Sequence, residues 1–317
     1  MQEIGSNFVE PGHVESGHVE PGHVEPGHVQ LCDVGPRDGF QFEQKQIPTE
    51  LKLSTIRSLI DAGMPRVQVT SFVHPTRVPQ MADAESIVAQ LADVKTCVLS
   101  GLALNVRGVK RAAESGLKAV DLSIATNERH GLDNANMTVD EGVAAAAAMI
   151  DEARALGLSV QLNLQTVWGY KQPNDTDLER ILGITRMFAQ TGLESFSLAD
   201  STGMANPNSI QSTVKAVQAE TDTPIVLHLH DTRGLGMANI VAALAQGVRR
   251  FDTSLGGLGG CPFIPGATGN VATEDVVYLL EQLGYKSGIQ NATVASASKK
   301  MAAFLGRHLS GKMYTLL

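Results

Sequence analysis

The sequence predicts an α/β fold, a (β/α)8 barrel in one catalytic domain, on three observations. From Val29 onward, short apolar runs alternate with helical patterns eight times. The open doubly wound sheet shares this alternation, but no GxGxxG follows the first run and no GxxxxGK[ST] occurs, so the closed barrel is the better reading. The chemically capable residues collect where the runs end, and barrels of this kind build their sites at the C-terminal ends of their strands.

The elements follow in order. Parallel strands are buried on both faces and read as nearly unbroken apolar runs, with helices between them. VQLCDVG is followed by PTELKLSTIRSLIDAG, RVQVTS by ADAESIVAQL, KTCVLSG by NVRGVKRAAESG, and AVDLSIA by TVDEGVAAAAAMIDEARALG. The second half continues with SVQLNLQ, ESFSLAD, PIVLHLHD and RFDTSLGG, each leading into a helical stretch. NATVASASKKMAAFLGRHL then reads as a helix added after the eighth unit.

Ahead of the barrel lies a five-residue repeat, VEPGH, VESGH, VEPGH, VEPGH, running from Val9 to His28. Proline and glycine interrupt helix growth and single valines leave no face to bury, so residues 1–28 are expected to form a disordered tail and residues 29–317 the barrel. Its histidines, His13, His18, His23 and His28, have no fixed geometry that would make them a metal site.

Composition narrows the function. The 317 residues are 43 % hydrophobic and 18 % charged, with a formal net charge of −8 and no lysine- or arginine-rich run, so no nucleic-acid partner and no membrane partner is expected. Cys32, Cys97 and Cys261 lie far apart without CxxC spacing, which argues against disulfides or structural zinc and for a reducing cytoplasm.

Four strand ends carry the chemistry: DVGPRDG, SLAD, HLHD and the glycine-rich loop GGLGGCPFIPGATGN. His228 and His230 are two apart on a strand, so their imidazoles point to one side. With carboxylates from Asp38 and Asp200 at the same mouth, they suggest a mixed nitrogen and oxygen site suited to Mg²⁺ or Mn²⁺. Arg37 either stabilises an oxyanion beside that metal or pairs with Asp33 or Asp38. Cys261, flanked by glycines, is either a small apolar residue in a turn or a proton donor on a closing loop.

Together VGPRDG, TSFVHPTRVPQM, SLADSTG, HLHDTRG and GLGGCPFIPGATGNVATED resemble the 3-hydroxy-3-methylglutaryl-CoA lyases, metal-dependent enzymes of TIM-barrel fold, over about residues 29 to 310. The resemblance implies that Asp38, His228, His230 and Asn270 ligate a divalent cation, Mg²⁺ or Mn²⁺. It implies that Arg37 neutralises an enolate, that Asp200 and Glu274 support catalysis, and that Cys261 is the acid/base. Gln41, Phe42 and Gln68 would join Arg37 in contacting a CoA-thioester substrate, with no organic cofactor needed and a homo-oligomer as the expected assembly. The implied reaction is retro-Claisen cleavage of a 3-hydroxyacyl-CoA; a condensing synthase or aldolase of the same superfamily, and a noncatalytic metal-binding barrel, are the alternatives. Several positions depart from the lyase pattern: Gln68 stands where a glutamate is usual, Phe42 and Gln44 where asparagine and lysine are, and Phe263 and Ile264 where tyrosine and a small residue are. LQTVWGY after the fifth strand departs too. These substitutions predict a preference for another, branched or longer 3-hydroxyacyl-CoA.

Overall fold

A computed structural model describes residues 27–260 and 268–317. Most of the five-residue repeat, and Cys261, Phe263 and Ile264, lie outside the described residues. Gly27 and His28, the last residues of the repeat, pair with Lys286: the Lys286 N–H donates to the Gly27 carbonyl at 2.9 Å and the Val29 N–H to the Lys286 carbonyl at 2.9 Å.

Eight strands close into a barrel in sequence order: β1 (Gln30–Asp33), β2 (Arg66–Ser71), β3 (Val98–Ala103), β4 (Ala119–Ala125), β5 (Ser159–Gln165), β6 (Ser195–Asp200), β7 (Ile225–Leu229) and β8 (Arg250–Thr253). Every pairing is parallel, and β8 closes on β1 from Gln30↔Arg250 to Asp33↔Thr253. The helices are α1 (Thr49–Asp61), α2 (Ala84–Ala89), α3 (Val106–Glu114), α4 (Glu128–Ala135), α5 (Val139–Ala155), α6 (Leu178–Phe188), α7 (Pro207–Gln218), α8 (Gly236–Ala245), α9 (Thr273–Gln282) and α10 (Asn291–Leu305).

Local chemistry explains several boundaries. Thr138 and Glu141 form a reciprocal capping box that starts α5, and Asn206 with Ser209 does the same for α7, where Pro207 takes the first turn. The third strand begins at Val98, three residues later than its apolar run begins at Lys95. Helix α4 was not foreseen, because ERHGLDNA has no apolar stripe; it is held by its Asn127 cap and ended by Asn136 in the left-handed conformation. As expected, α10 follows the eighth unit, burying Val294, Ala295, Ala297 and Met301 against the barrel.

Alternation sorts the strand residues between the two faces. Val67 and Val69, Leu122 and Ile124, Leu162 and Leu164 are buried core. Side chains from strands that are not neighbours can meet only across the interior. Arg66 of β2 with Asp121 of β4 (2.9 Å) and Ser197 of β6 with Asp252 of β8 (3.3 Å) therefore mark an inside that is polar. Most such barrels fill this space with branched apolar residues. This one holds charge along its axis.

Candidate active site

The site is assembled at the C-terminal ends of β1, β7 and β8. After β1 the chain tightens into a single π-helical turn, Gly35–Gly39, that carries Arg37 and Asp38. Asp33 starts this turn by accepting the Gly35 N–H at 2.8 Å, and a Cβ on Gly35 would lie 2.3 Å from Leu255, so only glycine fits there. At β7 the strand continues past Leu229 through a bridge between His230 and Asn270. The Asp231 N–H donates to the Gly269 carbonyl and the Val271 N–H to the Leu229 carbonyl, so the returning chain is stitched to β7 with Asn270 over the barrel mouth.

Ligand atoms of Asp38, His228 and His230 lie within 4.8 Å of one another, all three residues buried. His228 Nδ1 faces Asp252 Oδ2 at 3.2 Å, and this carboxylate orients the ring so that Nε2 points to His230 Nε2, 3.3 Å away. Asn270 Nδ2 donates to Asp38 Oδ2 at 2.8 Å and to the Leu258 carbonyl at 3.0 Å, while its Oδ1 is buried without a hydrogen-bond partner, as is His230 Nδ1. Two imidazole nitrogens facing each other, a carboxylate and an unsatisfied amide oxygen lack only a centre of positive charge. The residues fit a divalent cation of the mixed nitrogen and oxygen class.

The electrostatics agree with that fit. Burial pushes the Asp38 carboxyl up, but Arg37, then His228, His230 and the Asn270 amide, outweigh it and hold it below the usual carboxylate range. Burial, together with His228 and Arg37, lowers His230 to about 3, leaving a neutral imidazole free to ligate.

Of the pairings considered for Arg37, the one with Asp38 is present. Its Nη1 pairs with Asp38 Oδ1 at 2.5 Å, and its Nε donates to Gln68 Oε1. Gln41 Oε1 is buried and unpartnered, and Phe42, 38 % exposed, lies beside Gly260, where a Cβ would approach its ring at 3.7 Å. The two expected supports, Asp200 and Glu274, are buried with their carboxylates on backbone N–H groups. Both carboxylate oxygens of Asp200 are taken by the Met204 and Ala205 N–H groups, at 2.7 and 3.1 Å, so it shapes the loop after β6; burial raises it to about 6. Glu274 is fully buried at the start of α9, with both oxygens on the Gly256 N–H, and burial raises its carboxyl as well. Glu274 thus holds the start of the loop that leads to Cys261, and Asp200 the loop after β6.

The loop bearing Cys261 is anchored by described residues on either side. Cβ atoms on Gly259 and Gly269 would collide with Asn270 Nδ2 at 2.5 Å and with the Gly259 backbone at 2.6 Å, so the two strands of chain meet in a neck beside the candidate ligand. The chain's end returns beneath it: the Ser310 hydroxyl donates to the Gly257 carbonyl at 2.8 Å, and the Gly311 N–H to the Gly256 carbonyl at 2.9 Å.

Sequence reading missed Asp252, which orients His228, and the pair Arg66 and Asp121 beneath Gln68. All three interrupt apolar runs at inward positions, and opposite charges inside predicted barrel strands were the signal available.

The HMGL-like family model matches residues 28–301. The chain is 35 % identical to a hydroxymethylglutaryl-CoA lyase of Bacillus subtilis, over 88 % of this chain and 94 % of that one. It is 34 % identical to a 3-hydroxy-3-isohexenylglutaryl-CoA/hydroxymethylglutaryl-CoA lyase of Pseudomonas aeruginosa, over 88 % and 93 %. A lyase structure from Acinetobacter baumannii in complex with coenzyme A and 3-methylmalate superimposes with a TM-score of 0.86 at 31 % identity, covering 91 % of this chain and 95 % of that one.

Proposed function

Because the chain belongs to the hydroxymethylglutaryl-CoA lyase family, we propose that it cleaves 3-hydroxy-3-methylglutaryl-CoA to acetyl-CoA and acetoacetate, using Mg²⁺ or Mn²⁺ at Asp38, His228, His230 and Asn270. The observation that carries the reading is the buried cluster of Asp38, His228 and His230 with Arg37 bonded to its edge. A divalent cation held there supplies a lowered pKa for the substrate's 3-hydroxyl and a fixed chelate geometry.

The protein's own groups do the rest. Transfer of the 3-hydroxyl proton to a base at the barrel mouth lets the electron pair form the ketone of acetoacetate, the C2–C3 bond breaks, and its electrons pass to C2 and the thioester carbonyl as the enolate of acetyl-CoA. Arg37, bonded to Asp38 at the edge of the cluster, stabilises that oxyanion with its guanidinium donors. Cys261, carried between Gly260 and Thr268, returns a proton to C2. Asp252 keeps His228 in one tautomer throughout.

The spacing of the three cysteines supports action in a reducing cytoplasm. Among the described residues, no helix is long and apolar enough to cross a membrane. The partly exposed Phe42 beside the loop supports acceptance of longer or branched acyl groups, as does the likeness to the Pseudomonas aeruginosa enzyme named for an isohexenyl substrate. The deciding experiment is a cleavage assay over a panel of 3-hydroxyacyl-CoA thioesters with Mg²⁺ or Mn²⁺, before and after chelation. No turnover of any thioester without an added 2-oxo acid would favour a condensing enzyme instead.

A further inference from the structure

A continuous line of hydrogen bonds runs from the base of the barrel to Arg37. Glu194, just before β6, and Asp121 on β4 both pair with Arg66, at 2.8 and 2.9 Å. The second oxygen of Asp121 accepts from the Ser100 hydroxyl at 2.6 Å and from Gln68 Nε2 at 2.5 Å. Gln68 Oε1 accepts from Arg37 Nε, and Arg37, Arg66, Gln68, Ser100 and Asp121 are all buried.

A glutamine in this position has one permitted orientation. An ionised carboxylate only accepts, so the amide NH₂ must face Asp121; a guanidinium only donates, so the amide carbonyl must face Arg37. The amide dipole then lies along the line from negative to positive charge, and in a low-dielectric interior each bond strengthens the next. Arg37 has a competing partner in Asp38, the carboxylate of the candidate metal site. Without a hold on Nε, the guanidinium would be free to swing onto that carboxylate alone and leave the substrate's oxyanion.

We propose that Gln68 and Asp121 are positioning residues for Arg37: Asp121, clamped by Arg66 and Ser100, fixes the amide of Gln68, and the amide fixes the plane of the guanidinium. The carboxylate that steadies Arg37 thus sits one side chain deeper in the barrel, with a neutral spacer between. This rests on the oxyanion role of Arg37 given above.

The test uses three variants of the full chain with 3-hydroxy-3-methylglutaryl-CoA and Mn²⁺. Gln68→Met removes both hydrogen bonds but leaves Asp121 on Arg66 and Ser100; Asp121→Asn removes the charge; Gln68→Glu with Asp121→Asn moves the carboxylate up to Arg37. Each of the first two should lower kcat about 10- to 100-fold, the scale of losing a group that orients a site residue, with KM and Mn²⁺ affinity near wild type. The double variant should recover most of the loss. The Arg37 Nε–H resonance, identified by its disappearance in Arg37→Lys, should shift in both single variants without any substrate present. Wild-type kcat and an unmoved resonance in Gln68→Met would overturn the proposal, as would a folded double variant as slow as Asp121→Asn. If Asp121→Asn does not fold, Gln68→Met alone decides. Absence of cleavage by the wild-type protein would instead overturn the reading of the function, and the resonance would still report on the relay.

Discussion

The barrel holds two buried charge clusters, one near its base and one at its mouth, and they differ in completeness. At the base, Arg66 engages both Asp121 and Glu194 and every Asp121 oxygen accepts a hydrogen bond, so that the unpartnered group is a donor, Arg66 Nε. At the mouth, His228 and His230 turn nitrogens toward each other and Asn270 keeps an unpartnered oxygen. Open acceptors are what a cation needs, so the cluster whose carboxylate oxygens are all occupied reads as scaffold and the one that leaves an amide oxygen and imidazole nitrogens open as a place for a metal. The same residue types thus serve different ends according to what they leave open.

The sharpest way to break the comparison is at the mouth. His228→Ala or Asp38→Ala should abolish activity and Mn²⁺ binding measured by titration calorimetry, with affinity falling by more than the roughly 10- to 100-fold typical of an outer partner. The melting temperature should hardly change, and undiminished Mn²⁺ affinity in both variants would remove these residues from the ligand set. The base should respond in the opposite sense. Arg66→Met strands the buried Asp121 and the half-buried Glu194 carboxylates and should cost about 3 to 5 kcal/mol in denaturant unfolding, while the folded fraction still binds Mn²⁺ with one-to-one stoichiometry. Loss of metal binding by folded protein would mean that the clusters are not separable.

A smaller effect sharpens the division of labour at the mouth. Cys261→Ala should lower kcat by about 10²-fold, the scale of a lost general acid, at unchanged Mn²⁺ affinity; wild-type turnover would make the thiol a packing residue. The smallest concerns Asp33, which burial raises to about 7 even though Thr273 and the Gly35 N–H favour its charged form. Its folded pKa exceeds its unfolded value, so the stability it contributes is complete below about pH 4 and is lost as pH rises toward 7. Asp33→Asn should therefore flatten part of the decline in melting temperature between those limits, and an identical pH profile would show that Asp33 does not titrate there.

Much of this was legible in the sequence because the barrel's outer strand face obeys the simplest rule. Val120, Leu122 and Ile124, or Leu162 and Leu164, are buried under helices and announce their strands. The Arg37-Asp38 turn and His228-x-His230 were legible because ligands cluster at strand ends. Asp200 and Glu274 were legible as supports at their loops, but the N–H groups that occupy their oxygens were not, since sequence shows a carboxylate's position and not its partners. Arg66 and Asp121 went unread because they meet across the barrel from non-neighbouring strands, with Arg66 and Glu194 128 positions apart, and Asp252 because its partner His228 lies beside it on the paired strand but 24 positions away in sequence. Pairings across a barrel are written in no local spacing.

The neck at Gly259 and Gly269 separates inheritance of the loop from inheritance of the site. Both ends of the segment are fastened by backbone bonds to β7 and to the returning C-terminal residues, and only glycine fits where they touch. With Cys261 kept for its proton, the other residues between the two anchors can therefore be exchanged as a cassette, with Asn270 staying where it is. A lineage could retune which acyl chains it accepts by rewriting those positions, and a laboratory library could explore the same space without reopening the metal chemistry beneath.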